Sequence, residues 1–170
     1  MIDTPRIYVA DLAAYNGGIL HGIWIEMPCN VDRMHDQIQE MLRGSPVADA
    51  EEYAIHDYEC FQGYSVGEYE SLEEVCEIAE FLSDFSEFGG ELLNVVGSLA
   101  EARRIAVEGH CGLYSSLAGY AQEMTEECSD VPEHLVAYID YQAMGRDWEL
   151  SGELLVIQVC FDKVHIFHNS

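Results

Sequence analysis

Between Arg43 and Arg103 the chain runs for 59 residues without a lysine or arginine, and over that stretch it carries 15 aspartates and glutamates. Like charges repel across a compact fold, so such a segment folds only if its acids keep to solvent and its apolar residues share another face. The sequence meets that condition. Glu73, Glu77, Glu80, Asp84, Glu87 and Glu91 recur at alternating intervals of four and three residues, and Glu70 lies three residues upstream. Leu72, Val75, Ala79, Leu82 and Phe85 run between them at helical spacing. Residues three and four apart share one side of an α-helix, which predicts an amphipathic helix with a carboxylate stripe. If that helix continued through Ser83 and Gly89-Gly90, a rise of ~1.5 Å per residue would place the carboxylates roughly 5 to 6 Å apart, about the separation of successive phosphates.

The whole chain repeats the imbalance, with 32 acids against 7 lysines and arginines and a formal charge of -25. Nucleic acid and anionic membranes are excluded as partners, because both are held by clustered Lys and Arg. A merely solvated helix mixes both signs for i, i+4 pairing, whereas like-charge neighbours cost some tenths of a kcal/mol each. The excess therefore points to a partner with a basic surface. Two copies of the chain carry the charge of roughly 25 base pairs of duplex DNA, at ~1.7 Å of axis per charge. Carboxylates on a packed helix also avoid the ordering cost of a flexible acidic tail. From composition and spacing alone, a salt-adapted acidic protein and a divalent-cation-binding or catalytic protein remain open beside DNA mimicry.

With 170 residues, 49% of them hydrophobic, the chain can bury a real core, as one domain or as several small modules. Residues 5–12 and 21–27 are β-rich and flank Asn16-Gly17-Gly18, which predicts a hairpin. Asn30 is placed to cap a helix through Arg43, followed by a third strand over Glu52 to Tyr58. Ser71 and Glu74 have capping-box spacing. Gly89-Gly90 breaks the acidic run, and Glu91 to Val107 restarts it. Further on, the spacing predicts a helix from Leu113 to Cys128, another opened at Ser129 or Asp130 and ended near Gly145, and a closing hairpin of Leu154–Cys160 with Val164–His168. The expected fold is α+β, elongated and modular. It has an N-terminal β-β-α-β module (1–62), an acidic helical module (63–107) and a C-terminal α+β module (108–170).

Six cysteines at 29, 60, 76, 111, 128 and 160 form no C-x-x-C pair and follow no apolar leader, so reduced thiols in a cytoplasmic, soluble protein are expected. His56-Asp57, with His21, His110 and Cys111 as conceivable helpers, lacks the spacing of a metal or hydrolase site. Calcium loops, phosphate loops and nucleophile elbows are absent from the sequence. Neither catalysis nor a metal or cofactor is expected.

Three segments carry a family pattern: Arg6 to Gly18 (RIYVADLAAYNGG) with Leu20, His21, Gly22 and Trp24; Glu51 to Glu59 (EEYAIHDYE); and Tyr138 to Asp147 (YIDYQAMGRD). In content and order they resemble the ArdA family of antirestriction proteins. The resemblance implies a non-enzymatic, elongated homodimer that occupies the DNA groove of type I restriction-modification enzymes. The acids expected to stand in for phosphates are Glu68, Glu70, Glu73, Glu74, Glu77, Glu80, Asp84, Glu87, Glu91 and Glu101. Dimerisation is expected through the C-terminal module, where Leu113, Tyr114, Leu117 and Tyr120 are candidate contacts, although the same spacing fits ordinary helix core. Arg146 and Asp147 are left open between partner contact and internal pairing.

Overall fold

The computed structural model describes residues 4–169 and has an α+β architecture with two small antiparallel sheets of three strands each. The chain divides into two compact units, Met1–Asn94 and Val95–Ser170.

In the first unit, β1 (Arg6–Asp11) is the central strand between β2 (Gly22–Glu26) and β3 (Tyr53–Glu59). The β1/β2 register sets Tyr8 opposite Trp24 and Ile7 opposite Ile25. The two strands are not joined by a tight turn. Asp11 caps a short helix, α1 (Leu12–Asn16), by accepting from the Ala14 amide at 3.1 Å, and the chain returns through Gly18 at φ 77°. Asp11 is fully buried. Burial opposes its charge, but the Ser45 hydroxyl, the amides of Ala14 and Ala13 and the nearby His21 together hold its carboxyl below the usual range. The helix α2 (Val31–Arg43) begins where Asn30 accepts from the amides of Asp32 and Arg33, and it buries Met34, Ile38, Met41 and Leu42. It lies against β1, β2 and the acidic helix α3 (Leu72–Asp84).

Beyond α3, the interruption falls at residues 85–88, earlier than the glycine pair. Gly89 and Gly90 open α4 (Gly89–Val96) instead of breaking a helix. Gly97 and Ser98 make a second break before α5 (Leu99–Arg104), which passes into a π-helical turn at Ile105–Gly109.

The second unit builds its sheet in the order β4 (His110–Tyr114), β6 (Lys163–His168), β5 (Leu154–Cys160). The expected closing hairpin is β5 with β6. The helix expected to begin at Leu113 starts instead at Leu117, as α6 (Leu117–Cys128), because residues 110–114 pair with β6. Gly112 sits at φ 127°, a conformation outside any helix. The following helix is also shorter than expected: α7 (Glu133–Val136) is one turn, and Asp140 caps a separate α8 (Tyr141–Leu150) through the Ala143 amide. Gly145 does not end α8. It lies inside it, where an added Cβ would stand 2.8 Å from Leu117 Cγ, so its lack of a side chain lets α8 and α6 pack closely. Tyr120, Leu154, Val164 and Ile166 form the core on that face of the sheet.

Candidate partner-binding surface

The acidic stripe is built on α3. Ser71 Oγ accepts from the Glu74 amide at 3.2 Å and fixes the first turn, satisfying one of the free amides that every helix start presents. Leu72, Val75, Cys76, Ile78, Ala79, Phe81 and Leu82 are buried, while Glu73, Glu74, Glu77, Glu80 and Asp84 are exposed. Full burial of the Leu, Val, Ile and Phe side chains among them stabilises by roughly 1.5–3 kcal/mol each, which anchors the helix despite its like-charge neighbours. Glu87 in the turn and Glu91 on α4 are exposed as well. Because α3 ends at Asp84, the stripe is two segments joined by a corner, not one unbroken helix face.

Glu68, Glu70 and Glu101, also expected on this surface, are engaged by groups of the protein itself. Glu70 accepts from Tyr64 Oη at 3.0 Å and from the Gly67 amide at 2.7 Å, closing the loop that leads into α3. Burial and then this carboxylate push the Tyr64 phenol up to about 12. Glu68 lies 3.7 Å from His56 Nε2. Glu101 pairs with Arg104 at 2.7 Å, and the hydrogen bond from that guanidinium lowers the Glu101 carboxyl below its usual range. Likewise Arg6 bridges Glu59 at 2.5 Å while its guanidinium stacks 4.8 Å from the Trp24 ring.

The corner between α3 and α4 is held by the segment after β3. Cys60 and Gln62 adopt left-handed conformations at φ 64° and 52°, which turn the Gln62 side chain toward both helices. Gln62 Nε2 donates to the Leu82 carbonyl in the last turn of α3 at 2.8 Å, and its Oε1 accepts from the Gly90 amide in the first turn of α4 at 3.4 Å. Asn94 Nδ2 donates to the Gly63 carbonyl at 3.1 Å. A Cβ at Gly90 would overlap the Gln62 backbone carbonyl. Sequence reading missed this arrangement, because nothing local marks a glutamine whose partners lie 20 and 28 residues away.

A model of the antirestriction protein family ArdA matches residues 7–163. The chain belongs to the ArdA family. That membership supports an antirestriction role and, with it, interaction with restriction enzymes. No curated protein matches the chain significantly. Of the segments that carry the ArdA resemblance, the first two form β1, the return into β2, and β3, whereas the third forms the cap and first turns of α8. Arg146 and Asp147 are both exposed on α8, and Tyr138 just before it is 85% exposed.

The C-terminal contacts expected for an ArdA dimer are spread over two elements. Leu113 is 47% exposed on the edge strand β4, Tyr114 and Leu117 are half-buried, and Tyr120 belongs to the core. The Tyr120 phenol is pushed well up by burial. Exposed acids also line α6 at Glu123, Glu126 and Glu127, a second acidic helix that the spacing argument did not single out. Among the described residues, no group of three or more His, Cys, Asp or Glu side chains is arranged to hold a metal ion. No described helix is long and apolar enough to cross a membrane.

Proposed function

We propose that the chain acts as a DNA mimic, presenting the carboxylates of α3 and the neighbouring corner to the basic DNA groove of a type I restriction-modification enzyme and so excluding DNA by competition. The observation that carries this reading is the anchored, single-signed face of α3, where five exposed acids stand on a helix with seven buried residues. A rigid row of anions meets a phosphate-binding groove without the ordering cost that a disordered acidic segment incurs. Electrostatic complementarity of this kind favours fast, salt-sensitive association, and no single rim charge dominates it. In this reading two copies associate through the second unit, with Leu113 on the β4 edge as a contact, and the inhibitor acts on the enzyme without touching DNA.

The test is titration of the purified protein into a type I enzyme holding labelled target duplex, at two salt concentrations. DNA is displaced at low salt, and displacement weakens sharply as salt rises. A folded protein that displaces nothing from several such enzymes at low salt sinks the reading.

A further inference from the structure

We propose that Gln62 and Gly90 form a clamp that sets the angle between the two acid-bearing helices, and that partner recognition depends on this angle as well as on the number of charges. The inference rests on the functional reading above and deepens it by adding positioning residues that carry no charge.

The end of α3 exposes carbonyls and the start of α4 exposes amides that no helix can satisfy from within. One side-chain amide meets both. Gln62 donates to Leu82 at the end of α3 and accepts from Gly90 at the start of α4, so its rigid planar group acts as a strut between the two helix ends. Asn94, one turn further along α4, returns a hydrogen bond to Gly63 and fixes the rotation of α4 about that strut. Gly90 is pressed against the Gln62 backbone so closely that no larger residue fits without opening the corner. Glu91 follows Gly90 directly, so the clamp places it relative to Glu73, Glu77 and Glu80 on α3. A groove built for regularly spaced phosphates engages the two segments together only at the correct angle, since a small misplacement of several charges forfeits preorganisation.

The same DNA-displacement titration tests this with Gly90→Ala, Gln62→Met and Glu91→Gln, each at a temperature where circular dichroism shows the protein fully folded. Glu91→Gln removes one exposed charge and weakens displacement roughly two- to fivefold, the scale of a single exposed ion pair. Gly90→Ala and Gln62→Met remove no charge, yet each weakens it about tenfold or more, with a shallower dependence of affinity on salt because fewer carboxylates engage at once. A purely structural role would lower the melting temperature and leave the affinity and salt slope of the folded protein unchanged. If Gly90→Ala does not fold, Gln62→Met, which introduces no overlap, decides. Wild-type displacement with both clamp variants at full affinity overturns the clamp alone; failure of the wild-type chain to displace DNA overturns the functional reading beneath it.

Discussion

The two acidic helices α3 and α6 carry five and three acids, with no lysine or arginine, on different foundations. In α3 seven of 13 residues are buried, including the fully enclosed Phe81 and Leu82. In α6 only Tyr120 and Ala121 of 12 residues are buried, with Leu117 and Met124 half-covered against the sheet core. Thr125 Oγ1 also returns to the Ala121 carbonyl at 2.7 Å, a local bond that competes with regular helix geometry. In the reading proposed above, the comparison teaches that a row of acids serves recognition through what lies beneath it. The buried face of α3, in that reading, holds its acids in place before a partner arrives. On α6, more of the binding free energy would be lost to ordering.

The largest expected effect sharpens that contrast directly. Combined Glu73→Gln, Glu77→Gln, Glu80→Gln and Asp84→Asn weakens displacement of DNA from a type I enzyme by roughly tenfold to several hundredfold at low salt. Combined Glu123→Gln, Glu126→Gln and Glu127→Gln costs roughly tenfold at most, and an equal or larger loss there would break the comparison. Next comes the foundation itself. By denaturant titration, Phe81→Ala costs about 3–5 kcal/mol, whereas Met124→Ala on α6, only half-buried, costs under about 2 kcal/mol.

The smallest effect concerns Asp11, an acid inside the fold. Its folded-state carboxyl lies below the ordinary value, so its charge contributes stability above the unfolded pKa, near 4, and that contribution fades as pH falls through the lower folded value. Repulsion among the surface acids fades over the same range, so the readout is a difference. The stability gap between wild type and Asp11→Asn, measured by chemical denaturation, narrows below about pH 4. A gap that stays constant from pH 7 to pH 3 would remove Asp11 from the account.

Much of this was legible where the determinants are local. Asn30 and Ser71 mark the starts of α2 and α3 because a short polar side chain reaches amides two or three residues ahead. The acid face of α3 follows from its period, and the strands around Trp24 and Tyr53 from their β-branched and aromatic content. Failures cluster where distant partners decide. Leu113 and Tyr114 read as the start of a helix, because Leu113, Leu117 and Tyr120 imitate a helical stripe, yet pairing of His110–Tyr114 with β6 some 50 residues later makes them strand. Gly145 reads as a helix stop until Leu117 supplies a reason for a glycine within α8. For the same reason the glycine pair announced a break but not its place: Gly90 answers to Gln62, not to its neighbours in sequence.

The position of β6 has a consequence for how the chain is made. In the first unit the central strand, β1, precedes both of its neighbours, so β2 and β3 can add to it in the order of their synthesis. In the second unit β6 is central but comes after β4 and β5 in the chain. Before residues 163–168 leave the ribosome, β4 and β5 have no strand between them to pair with, and α6 and α8 wait over an unclosed apolar face. Domains generally fold N-terminal first during synthesis, and here that order delivers the acidic helix α3 on a finished platform while the second unit is still incomplete.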